Sequence, residues 1–115
     1  MNPANIFAGI PDALPDELFD AIITGEQLRI ERIVSRGQRA PATGWFEQAW
    51  GEWVLLLRGG ARLEFENGGE VALGPGDHLY IDPGRRHRVA WTDPAQDTVW
   101  LAVHFEGGRL GENSE

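Results

Sequence analysis

Four side chains in this sequence have the types and settings for metal or acid–base chemistry: Gln48, Glu52, His87 and His104. Glu52 opens the apolar run Trp53 to Leu57, and alternation puts it on one face with Val54 and Leu56. A carboxylate carried into an apolar interior is costly unless it is paired, hydrogen-bonded or bound to a metal. His87 follows the turn Pro83-Gly84 and shares a face with Val89 and Trp91, so it points the same way. Gln48, four residues before Glu52, adds an amide oxygen. An imidazole, a carboxylate and an amide with open positions suit Fe(II), Mn(II), Ni(II) or Zn(II). The plainer alternative is that Glu52 and His87 simply hydrogen-bond each other.

His104 sits in the closing strand Thr98 to Phe105, which is apolar on both faces. Trp100, Ala102 and His104 form one face; Val99, Leu101, Val103 and Phe105 form the other. Alternation cannot choose between them. A surface or interface position is the expected one. Inward placement would add a second nitrogen and approach a 2-His-1-carboxylate site. His78 follows a turn and is expected at the surface. Arg85 and Arg86 lie in the turn before His87, where they either draw an anionic ligand or are solvated turn residues. Arg86, Gln48 and Trp91 are the candidate pocket residues, with Trp91 as a flat apolar wall.

Other chemistries find little support. With no cysteine, thiolate ligands and disulfides are excluded. The only serines, Ser35 and Ser114, sit at a strand end and in the tail rather than in a strained elbow. Gly74-Pro75-Gly76 precedes a strand, not a helix, which rules out a phosphate loop. A net charge of −8 opposes binding to a phosphate backbone, so nucleic acid is not an expected partner. No apolar run is long enough to span a membrane, and the first residues lack a secretory pattern, so a cytoplasmic protein is expected.

The elements that must position these residues are mostly short strands. Residues 1–27 form an N-terminal arm in which Pro15 to Thr24 reads as a short helix: Leu14, Leu18 and Ile22 recur every fourth residue and Gly25 suits the cap. From Gln27 the period is two. Strands are expected at Leu28–Ser35, Trp45–Gln48, Glu52–Arg58, Ala61–Glu66, Val71–Leu73, His78–Ile81, His87–Trp91 and Thr98–Phe105. Asn67-Gly68 is a strong hairpin signal. Residues 106–115 read as a polar tail. Many short strands separated by turn signals point to a sandwich or barrel over residues 28–105.

Two stretches carry a resemblance to a known family. Gly76, Gly84 and His87 stand at the spacing of the second cupin signature, with Pro83 displaced by one and Trp91 in place of the usual asparagine. Glu52 and Gly59 match the end of the first signature, whose two histidines are replaced by Phe46 and Gln48. The likeness covers roughly Arg29 to Phe105. It implies an all-β, cupin-type jelly-roll barrel (a double-stranded β-helix), here with a short N-terminal helix added. It also implies a divalent metal held by Gln48, Glu52 and His87, with His104 a possible replacement ligand, and a small-molecule ligand. Because both faces of Trp53 to Leu57 are apolar, the outward Trp53, Leu55 and Leu57 need a cover, either the N-terminal helix or a second subunit, and a homodimer is the expected one.

Overall fold

The structure is a computed structural model that describes residues 1–107 and 111. Its strands are β1 (Leu18–Thr24), β2 (Leu28–Ser35), β3 (Gly51–Arg58), β4 (Ala61–Phe65), β5 (Glu70–Leu73), β6 (His78–Ile81), β7 (His87–Thr92) and β8 (Thr98–Phe105). They form an antiparallel five-stranded sheet, β1-β2-β8-β3-β6, and a three-stranded sheet, β5-β4-β7. The sheets enclose a core that includes Val54, Leu56, Leu63, Phe65, Ile81, Trp100 and Ala102. Along β3 and β4 the burial alternates with the period of two that the sequence shows. No helix among the described residues is long and apolar enough to cross a membrane.

Two expected elements differ. The helix expected over Pro15 to Thr24 is instead strand β1, paired along the free edge of β2 with Phe19 opposite Ile33 and Asp20 opposite Arg32. Ten residues cannot sustain a helix alone, and the run Ile22-Ile23-Thr24 is β-branched, which favours a strand. A register shift between Ala21 and Ile23 absorbs one residue, which is why the apolar positions mimic a four-residue repeat. The strand expected at Trp45–Gln48 is only a single bridge, Phe46 to His87. Pro41 and Gly44 keep that segment from running alongside β7 for longer. The polar tail expected over 106–115 lies mostly outside the described residues.

The arm before β1 is fastened by two arginines. Arg32, buried on the outer face of β2, donates to Asp20 and to the carbonyls of Ile6 and Ala8. Arg36 donates to the carbonyl of Asp12 and pairs with Asp97. The barrel's other tight point is the turn between β3 and β4. Gly59 there has φ +91°, and a Cβ would lie 2.3 Å from Thr98 Oγ1 and 2.6 Å from its Cα. The Thr98 hydroxyl donates to the Gly60 carbonyl and accepts from its N–H, so it cannot move aside freely. Gly59→Ala should therefore lower unfolding free energy by about 2 kcal/mol or more. Urea unfolding checks this, and a loss below about 0.5 kcal/mol would show the turn to be more compliant than described.

Candidate functional site

Register brings the chemistry-bearing residues together. Residues directly opposite in an antiparallel ladder point to the same side. Glu52 of β3 faces His104 of β8, and His104 in turn faces Arg29 of β2. Since Glu52 shares the inward face with Val54 and Leu56, His104 is carried inward with Trp100 and Ala102. His104 is 3% exposed, so the expected surface or interface position is corrected. Alternation within β8 could not decide this; its pairing with β3 does. His87 enters from the opposite sheet, where β7 pairs with β4 at Phe65.

Within the barrel, His87 Nε2 lies 3.4 Å from Glu52 Oε1, and His104 Nε2 lies 3.0 Å from Glu31 Oε1 and 3.7 Å from Glu52 Oε2. His87 Nδ1 is 2.9 Å from the Arg85 carbonyl, which can only accept, so Nδ1 carries the proton. The neutral ring then presents the Nε2 lone pair to Glu52. Glu52 Oε1 is buried and has no hydrogen-bond partner among the described residues. Two lone pairs aimed at each other require a cation between them, either a proton or a metal ion. Burial pulls the His87 imidazolium down. Glu52 and the Arg85 carbonyl outweigh burial, and the net displacement is upward from the ordinary 6.5. His104 repeats the pattern: Nδ1 is 2.9 Å from Gln48 Oε1, so with the amide in this orientation Nδ1–H donates and Nε2 faces carboxylate oxygens.

Gln48 thus lies at the site and holds a histidine ring. Phe46, at the other position matching a family histidine, packs its ring against His87 at 5.8 Å. Two expected pocket residues are elsewhere. Trp91 is 37% exposed and lies beneath the Arg62 guanidinium, outside the cavity. The register shift opposite Arg62 and Leu63 inserts Ala90 unpaired, so Trp91 falls on the outer face and Thr92 turns in. Arg86 points away from the barrel, bonded to Glu66 at 2.7 Å with Glu47 at 3.7 Å. Arg85 lies over the ring of Phe65, and His78 is exposed, accepting from Trp53 Nε1.

Sequence reasoning missed Glu31, Arg29 and Glu17, all of which line the cavity. Arg29 and Glu31 share the inward face of β2 with Ile33, a period-two signal that was visible but looked like ordinary surface charge. Glu17 precedes β1 and accepts from the buried Ser35 hydroxyl at 2.6 Å; burial raises its pKa while that hydrogen bond lowers it, for a net rise above 4.5. The cavity holds about 320 Å³. It adjoins an outer groove, the two sharing Glu17, Phe19, Ala40 and Phe46. Neither Arg85 nor Arg86 is among the residues that line the cavity.

Among the described residues, no three or more His, Asp or Glu side chains are grouped so as to hold a metal ion. They stand as pairs, Glu52 with His87 and Glu31 with His104. The donor types nevertheless suit a divalent ion: the His87 Nε2 lone pair, backed by the Arg85 carbonyl at Nδ1, a second imidazole in His104, and a buried carboxylate oxygen without a partner. Adjacent donors around an ion at about 2.1 Å stand roughly 3.0–3.4 Å apart, close to the separations seen here.

Two face-to-face antiparallel sheets with an acid–imidazole cluster between them describe a double-stranded β-helix. The chain belongs to the cupin family: the cupin-domain profile matches residues 34–104. No curated protein matches it. Among solved structures it is similar to a Ralstonia eutropha protein provisionally named a mannose-6-phosphate isomerase, with 41% identity over 93% of this chain and 100% of that one, TM-score 0.87. A cupin superfamily protein from Desulfitobacterium hafniense has 17% identity over 84% of each chain, TM-score 0.70. A cupin with a double-stranded β-helix fold from Methanocaldococcus jannaschii has 14% identity over 85% and 87%, TM-score 0.67. The last two show the fold alone.

The raised His87 sets a pH dependence in metal-free protein. The native state binds more protons than the unfolded chain once pH exceeds the unfolded value, so its stabilising contribution is complete below 6.5 and is lost as pH rises through the folded value. Chelator-treated protein should lose stability to urea between mildly acidic and alkaline pH, and His87→Gln should flatten that slope. An equal slope in the variant would remove His87 as its source.

Proposed function

We propose that this cupin holds a divalent metal ion between Glu52, His87 and His104, with Gln48 orienting His104, and binds a small oxygen-bearing molecule at the positions left open. The observation that carries this reading is the partnerless Glu52 Oε1 facing an imidazole whose proton is held on the far nitrogen. Bound there, Fe(II), Mn(II), Ni(II) or Zn(II) would act as a Lewis acid that polarises a carbonyl or hydroxyl oxygen. The chain's own residues supply the rest. The Arg85 carbonyl and Gln48 fix the two rings. Phe46, Val54, Ile81 and Trp100 give the cavity an apolar wall, beside which charge interactions are stronger than in water.

The wall also bears on the ligand. Glu17, Glu31 and Glu52 are set against one guanidinium, Arg29. Such a lining opposes a phosphate group inside the barrel. We therefore read the ligand as an uncharged hydroxy or carbonyl compound, and a sugar phosphate such as the Ralstonia protein's name implies as a poorer fit. The cavity is at the small end of ligand-pocket volumes.

The test is metal content. Protein purified without a histidine tag or chelator should carry close to one equivalent of a first-row divalent metal, and Glu52→Gln, His87→Ala and His104→Ala should each lose most of it. Substoichiometric metal that reloading does not raise, equal in wild type and variants, would instead favour a metal-free binding module with a proton between Glu52 and His87.

We also propose a homodimer. Trp53, Leu55 and Leu57 of β3 and Leu101, Val103 and Phe105 of β8 line the outer face of the large sheet and are only partly buried. An apolar stripe of this kind is uncommon in water. Sedimentation should show a dimer that Leu55→Glu converts to monomer. A wild-type monomer at high concentration would contradict it.

A further inference from the structure

One carboxylate in the cavity wall belongs to neither acid–imidazole pair. Glu17 stands just before β1, where Leu18 pairs with Val34 and Phe19 with Ile33, so the same register sets Glu17 against Ser35. Ser35 and Ile33 share the inward face of β2, and Glu17 and Phe19 are thereby carried to the cavity side of β1. Both lie outside the stretch that the cupin profile matches, which begins at residue 34. We infer that Glu17 is a ligand-recognition residue: its carboxylate accepts hydrogen bonds from the hydroxyls of an uncharged polyol whose C–H face packs on Phe19 and Phe46. This rests on the reading of the cavity as a site for an uncharged hydroxy compound, and narrows it to a polyhydroxylated one.

Three observations point the same way. First, only one side of the carboxylate is used. The fully buried Ser35 hydroxyl donates to Oε2 at 2.6 Å, while no hydrogen bond or ion pair joins Oε1 to another described residue. A carboxylate can accept several hydrogen bonds, so Ser35 fixes the direction of the group and leaves acceptor sites open. Second, Glu17 has no cation beside it. Arg29, the guanidinium of the same wall, lies 3.6 Å from Glu31 instead, and burial raises the Glu17 pKa. A tether to Ser35 alone would be met by a neutral amide, whose carbonyl oxygen accepts from a hydroxyl without the cost of a half-buried charge. Donors that arrive with a ligand account for a carboxylate at this place. Third, the neighbours suit the other half of a polyol. Glu17, Phe19 and Phe46 are common to the cavity and the adjoining groove, and Phe19 is 51% exposed. Two phenyl rings beside a carboxylate offer apolar surface to C–H groups and an acceptor to hydroxyls.

The experiment compares two probes by NMR, myo-inositol, a cyclohexane ring with a hydroxyl on every carbon, and cyclohexanol, the same ring with a single hydroxyl. Each is titrated into the full-length protein and into Glu17→Gln from mildly acidic to neutral pH. Wild type should bind myo-inositol at neutral pH and hold it more weakly as pH falls through the raised Glu17 value, because protonation removes an acceptor. Glu17→Gln keeps a carbonyl oxygen for Ser35 and should unfold in urea no earlier than wild type. It should bind myo-inositol at least about tenfold more weakly and lose that part of the pH dependence. Glu31, Glu52, Arg29, His87 and His104, the other charged or titrating groups of the cavity, are common to both proteins, so the difference isolates Glu17. Cyclohexanol should bind both alike. If Glu17→Gln fails to fold, the wild-type Glu17 carboxyl carbon resonance is the readout: myo-inositol should shift it and lower its titration midpoint, and cyclohexanol should do neither. Equal myo-inositol binding by both proteins with the same pH profile, or a Glu17 resonance that myo-inositol leaves in place, would overturn the inference and leave Glu17 a tether between the arm and β2. Cyclohexanol bound by wild type without myo-inositol would overturn the polyol assignment and leave the hydroxy-compound reading standing. Neither probe bound would overturn both.

Discussion

The site turns on one buried contact, the Glu52 carboxylate facing His87 across 3.4 Å. Neither partner can be explained alone. A carboxylate that is 7% exposed loses the water that would stabilise its charge, and the histidine opposite has its proton held on the other nitrogen by the Arg85 carbonyl. Some positive charge must lie between them. His104, Glu31 and Gln48 extend the same logic outward, each placed so that an acceptor meets a donor or a lone pair meets a site for a cation.

That contact depends on the two sheets in different ways. In the large sheet, pairing of β3 with β8 and of β8 with β2 stacks Glu52, His104 and Arg29 in one row, and Glu31 lies two residues along the same face. A one-residue slip would turn every one of them outward. In the small sheet, β7 delivers His87 before its bulge reverses the alternation. Gly59 and Thr98 lock the turn that leads from one sheet to the other, which links barrel closure to site geometry.

Much of this was legible in the sequence. The period of two, the Asn67-Gly68 turn and the alternation around Glu52 are local signals, and seven of the expected strands match observed ones to within a residue or so. What was hidden is non-local. The inward face of β8 is decided by its neighbours, so His104 was undecidable from Thr98 to Phe105 alone. Glu31 looked like one charge among Arg29 and Arg32, and only pairing with β8 turns it inward. Trp91 was misplaced because a single inserted residue, Ala90, breaks a pattern that otherwise runs from His87. The arm was misread because Leu14, Leu18 and Ile22 satisfy a helical repeat, whereas the available edge of β2 makes a strand the better-satisfied backbone.

The central claim is that the cation required between Glu52 and His87 is a metal ion and not a proton. The most direct measurement is a crystal structure of protein prepared without chelators, with anomalous data collected above and below the absorption edges of Mn, Fe, Ni and Zn. The account predicts one anomalous peak inside the barrel, bonded to Glu52 and to the Nε2 atoms of His87 and His104. A well-ordered barrel with no such peak, and a direct hydrogen bond from His87 Nε2–H to Glu52, would contradict it.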